Sequence, residues 1–241
     1  MILANLRERL TTADLQLAID LLARGSSDRR RYYAALVEQE GPDRLLDDPD
    51  LMSLLGSRSQ LTAPSAPLFL YVTLRHALRD CGVDDPRLAD YLGALVLDFG
   101  MRDRAYRVTP HDDDTRRYLV DIVAELNGAE GRRAFLLCVH LGNFSLWLSG
   151  IFPDYITAQN VRKGAPGFAY YDELGAKGFR RAADHGLARE LELDAVYASV
   201  AAVFARVRVA LNRVSDRVFF PHVSSPDRLM RQVSEEFKLS A

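Results

Sequence analysis

Apolar side chains recur every three to four residues, in short runs separated by glycine and proline, and no stretch keeps the two-residue alternation of a strand. Thr11 and Asp14 form a capping-box pattern ahead of Leu15, Ile19 and Leu22, and Gly25 ends that run. Ser27 is placed to cap a second helix that carries Tyr33, Leu36 and Val37 inward and stops at Gly41-Pro42. Shorter helical pieces follow around Leu45 and from Leu51 to Leu55. Pro67 stands as a first-turn proline before Leu70, Leu74, Ala77 and Leu78, and Asp84-Asp85-Pro86 opens a further helix through Leu88, Leu92, Leu95 and Phe99. The polar stretch 102–115 reads as a connection, and 115–126 as an amphipathic helix.

The stretch 132–152 is different, because Phe135, Leu136, Val139, Leu141, Phe144, Leu146 and Trp147 cover every face of a helix. Such a helix belongs at the centre of a core. His140, Gly142, Asn143, Ser145 and Ser149 interrupt the apolar run, a polar load that argues for a core helix over a membrane span. Gly164, Pro166 and Gly167 predict a loop over 160–167, after which helical spacing resumes over 170–185 with Gly175, Gly178 and Ala182 on one side. Val196, Val200, Val203, Val207, Val214 and Val218 form one long stripe that Pro221 stops, and a tail helix follows Pro226.

The expected fold is therefore all-α, a multi-helix orthogonal bundle around a buried central helix at about 132–152. The chain reads as a single helical unit over 1–241. Any subdivision would separate an N-terminal helical part, 1–56, from a main bundle, 67–241, across the poorly patterned loop 57–66.

Composition narrows the function classes. The formal charge of −2 supplies no broad field for nucleic acid, and 48% hydrophobic with 27% charged residues is the balance of a globular chain. Cys81 and Cys138 sit far apart in apolar patterns with no ligand spacing, and the first ten residues lack a secretory apolar core, so a cytoplasmic location without membrane attachment is expected. Only three basic residues are lysine, Lys163, Lys177 and Lys238, an arginine bias attributed to a GC-rich genome.

Several groups could carry chemistry. His140 and Asn143, three apart on the central helix, share one side and need partners or a ligand. His76, His140 and His185 lack a Glu-x-x-His or His-x-x-x-His spacing, so no metal and no cofactor is expected. Tyr171 precedes the small face, and Asp184-His185 ends that helix. Glycines three apart most simply let another helix approach closely. Arg208, Asn212, Ser215 and Asp216 form a polar stripe beside the valines, with Arg213 and Arg217 as ion-pair partners for Asp216; burial would distinguish an anion site from a solvated face. Arg29, Arg30 and Arg31 after Gly25 outline a faint helix-turn-helix. Tyr171-x-x-Leu174-Gly175 resembles the opening of a tetratricopeptide unit, but Gly178 occupies the next aromatic slot and no second copy exists.

No phosphate-binding glycine loop, GxSxG elbow or zinc spacing occurs. The leading expectation is a non-catalytic protein-interaction or regulatory protein, with a protein partner or a second copy of itself. The alternative is an all-α enzyme or small-molecule binder with a pocket around His140, Asn143, Tyr171, His185 and Arg208. A DNA-binding regulator using Arg29 to Arg31 ranks third, against the net charge.

Overall fold

A computed structural model describes residues 1–56 and 63–240. Fourteen α-helices and no strand occur among the described residues. In chain order they are α1 (Thr12–Ala23), α2 (Ser27–Glu40), α3 (Asp43–Leu46), α4 (Pro49–Leu55), α5 (Ala66–Asp80), α6 (Pro86–Phe99), α7 (Leu119–Leu126), α8 (Gly131–Ile151), α9 (Pro153–Lys163), α10 (Phe168–Ala183), α11 (Gly186–Glu190), α12 (Asp194–Ala202), α13 (Phe204–Val214) and α14 (Pro226–Ser240). Short 3-10 turns lie at Arg7–Arg9 and Arg104–Tyr106.

The helix starts follow local chemistry. Thr11 and Asp14 close the capping box of α1, and Asp85 caps α6 ahead of its first-turn proline. Ser26, one residue earlier than expected, caps α2 by accepting from the Arg29 backbone N–H. Residues 57–62 of the expected loop lie outside the described residues, and Ser65 caps α5. One contiguous apolar core runs from Ile2 and Leu6 to Val214 and includes side chains on both sides of that loop.

The central helix is α8, largely buried although it is long and apolar enough to pass for a membrane span. Its neighbour α10 approaches through glycines. A Cβ at Gly178 would lie 2.7 Å from the Cys138 carbonyl oxygen and 3.0 Å from the Gly142 nitrogen, and one at Gly142 would lie 2.7 Å from the Phe179 ring. The small face of α10 thus seats that helix on the backbone of α8. Phe179, Tyr91 and Tyr197 pack as a ring cluster above this seam, with centroids 5.6 to 6.1 Å apart.

Three departures from the sequence pattern shape the molecule. The valine stripe is not one helix: Val203, at φ −121° and ψ 26°, separates α12 from α13. The restart places Phe204 over Gly175, where a Cβ would be 2.2 Å from the ring tip. Residues 160–163, expected as loop, complete α9, which ends only at left-handed Gly164. Residues 115–118 are not helical, because the Arg116 N–H donates to the Tyr106 carbonyl at 2.6 Å and holds this segment against the 3-10 turn.

Candidate functional site

The residues singled out in the sequence do not gather in one cavity. His140 and Asn143 are each 3% exposed. The Asn143 Oδ1 accepts from the Tyr91 hydroxyl at 2.7 Å, which anchors α6 to α8. His140 stacks on Phe144, lies beside Phe99, and has no partner for Nε2. Burial, aided by the charge of Arg104, holds its imidazole down at about 3, so it stays neutral. His140 and Asn143 line a void of about 10 Å³, room for one water. His185 caps α11, its Nδ1 accepting from the Leu187 N–H at 3.2 Å. Among the described residues no His, Cys, Asp and Glu side chains cluster as metal ligands.

Arg29, Arg30 and Arg31 lie on the exposed face of α2, with Arg30 paired to Asp20 and Arg31 to Asp28. Two of the three charges are thereby answered by carboxylates.

The stripe on α13 is buried. The Asn212 side-chain amide donates to the carbonyls of Ser149 at 2.7 Å and Gly150 at 2.8 Å, and the Ser215 hydroxyl donates to that of Ile151 at 2.6 Å. These bonds satisfy carbonyls that the end of α8 leaves open. After Val214 the backbone widens into a π turn, Ser215–Phe219, closed by the Phe220 N–H on the Ser215 carbonyl. That turn delivers Asp216 to α14, where it accepts from Arg231 at 2.8 Å and Gln232 at 2.9 Å and faces Arg228. Arg213, expected as its partner, pairs with Glu236.

Asp216 belongs to a larger buried ion network. Arg208, its side chain 7% exposed, grips Asp172 of α10 through Nε at 2.8 Å and Nη2 at 3.2 Å and lies 4.5 Å above the Phe168 ring. Arg228 binds Asp154 of α9 at 2.6 Å and the carbonyls of Phe220 and Val223. Arg208 and Arg231 reach the two oxygens of Glu235 at 3.3 and 3.2 Å. A cavity of 490 Å³ opens beside Arg208, Arg231 and Glu235, walled by α9, the start of α10, α13 and α14.

On the other side of α9 lies a cleft of 520 Å³. Tyr106, Arg117, Tyr118, Leu119 and Val120 form one wall; Leu148, Phe152, Tyr155, Pro166, Tyr170 and Tyr171 form the rest. Five of the ten tyrosines of the chain meet here. The Arg117 guanidinium lies 5.0 Å above the Tyr106 ring, and the Tyr170 and Tyr171 rings meet edge to face. Burial, with smaller contributions from Tyr155 and Tyr170, raises Tyr171, keeping it a neutral phenol at neutral pH. Arg117 is the only charged side chain lining the cleft among the described residues.

Sequence reasoning marked Tyr171 but missed the rest of this cleft, which four separate segments assemble. The adjacent pair Tyr170-Tyr171 was the one local signal. No protein-family model matches the chain, and comparison with curated proteins and with solved structures finds no similar one.

Proposed function

We propose that this is a non-catalytic, ligand-binding regulatory protein whose tyrosine-lined cleft takes an aromatic molecule bearing an acidic group. The observation that carries the reading is the lining itself. A concavity of 520 Å³ is the size of small-molecule sites, and its apolar wall with a few placed polar groups is their usual composition. Aromatic faces stack planar rings, phenolic hydroxyls orient polar edges, and Arg117 supplies one positive charge with no carboxylate among the described lining residues to oppose an anion. Among the described residues no histidine, cysteine or carboxylate lines it to serve as nucleophile or base, which favours binding over turnover.

Calorimetric titration with phenylacetate and with its neutral analogue 2-phenylethanol tests this. The acid should bind at least fivefold more tightly, and exposed Arg117→Gln should abolish that preference while leaving 2-phenylethanol unaffected. Equal affinity for acid and alcohol, or acid binding indifferent to Arg117→Gln, would contradict the reading.

A further inference from the structure

The second cavity contains an anomaly that the aromatic cleft does not explain. Asp172, Asp154 and Asp216 each have at least one arginine contact between 2.6 and 2.9 Å, as charge-assisted hydrogen bonds should be. The two from Glu235 are long, 3.3 Å to Arg208 and 3.2 Å to Arg231. Arg231 is 5% exposed, and its Nε–H has no acceptor. An open cavity of 490 Å³ adjoins both guanidinium groups. Burial also pushes the Glu235 carboxyl above the usual carboxylate range, against the pull of Arg231 and Arg208. A carboxylate is thus held between two arginines without strong bonds to either, beside empty space.

We propose that the space between Arg208 and Arg231 is a binding site for a small monocarboxylic acid with a short apolar tail, and that Glu235 occupies its anion position as an internal stand-in. The charge count selects the class. With Glu235 ionised, Arg208, Arg228 and Arg231 face four carboxylates, Asp154, Asp172, Asp216 and Glu235, and Asp227 lines the same cavity. A monoanion exchanged for Glu235 leaves that charge unchanged, whereas a dianion adds a further negative charge beside Asp227. Ile156, Phe168, Val209 and Met230 line the same cavity and receive the tail. Because Glu235 is carried on α14, exchange of one carboxylate for the other loosens the hold of α13 on that helix.

The test is calorimetric titration of butyrate at fixed pH and ionic strength. Glu235→Gln removes the internal competitor and keeps the side chain's size, so butyrate should bind this variant at least tenfold more tightly than the unmodified chain. Adding Arg208→Gln should remove the gain. Arg117→Gln added to Glu235→Gln should leave butyrate affinity unchanged; a drop would assign the binding to the aromatic cleft and overturn the proposal. Equal affinity with and without Glu235→Gln would overturn it too, as would inorganic phosphate binding as tightly as butyrate. Should Glu235→Gln fail to fold, carbon-13 spectra of the unmodified chain decide. The Glu235 carboxyl resonance should move on titration with butyrate, and a resonance unmoved throughout the titration rejects the stand-in.

Discussion

The seam between α8 and α10 and the end of the molecule where α9 meets α14 are assembled by opposite means. At the seam, backbone meets backbone across Gly178 and Gly142, and the neighbouring Asn143 accepts a short hydrogen bond from Tyr91. At the α9 end, cavities of 520 and 490 Å³ flank one helix, and contact with α14 runs through arginines and carboxylates. Tyr155 lines one cavity and Ile156, the next residue, the other. On α14 the usual amphipathic order is inverted, since Arg228 and Arg231 are buried while Leu229, Met230 and Val233 are exposed. A close-packed seam has one arrangement. An ionic end with open volume on both sides can adjust to an occupant, and ligand sites are drawn from such low-density regions.

The largest effect should follow from disturbing the seam. Gly178→Ala places a methyl against the Cys138 carbonyl and Gly142 nitrogen, backbone atoms that cannot swing aside, and should cost about 3 kcal/mol, read from the urea midpoint. A loss under about 1 kcal/mol would show that the seam yields, which removes the contrast. Asn212→Ala should come next, at about 2 kcal/mol, by stranding the carbonyls of Ser149 and Gly150.

The acid response of His140 adds a smaller term with a definite sign. Its imidazole is held near 3 when folded and returns to the ordinary 6.5 when unfolded, so between those values the unfolded chain binds the extra proton. Stability is therefore full above about pH 6.5 and falls as the pH drops toward 3, by up to about 1.4 kcal/mol per pH unit from this group. His140→Leu should make the slope of stability against pH shallower by about 1 kcal/mol per unit between pH 6 and 4. An unchanged slope would mean that the folded protein protonates this ring. Smallest of all, Asp154→Asn weakens the Arg228 contact of a half-exposed carboxylate and should cost about 0.5 kcal/mol globally. Amide exchange should nevertheless quicken in α14, because that helix depends on such pairs.

These residues also show what the sequence made legible. Thr11 with Asp14, and Asp85 with Pro86, write helix starts into neighbouring positions, and the all-round apolar pattern of α8 announces a central helix. Gly175 and Gly178 announced close approach, though not which helix approaches. The break at Val203 was illegible because the valine period continues through it, and its cause, the seat of Phe204 on Gly175, is a tertiary contact. Arg208, Asn212 and Asp216 could be recognised as a stripe by spacing, but their partners on α8, α10 and α14 depend on the π turn and on docking. The aromatic cleft left only the Tyr170-Tyr171 pair in the sequence. Its other residues are single positions on distant segments, with no spacing that a linear pattern can register.

Hydrogen–deuterium exchange along the whole chain, with and without saturating phenylacetate, tests the central claim most directly. Binding in the tyrosine cleft predicts slower exchange in 117–120, α9 and the first turn of α10, with no change at the α8–α10 seam around Cys138 and Gly178. Protection spread evenly over the chain, or absent from α9 and residues 117–120 at saturation, would contradict it.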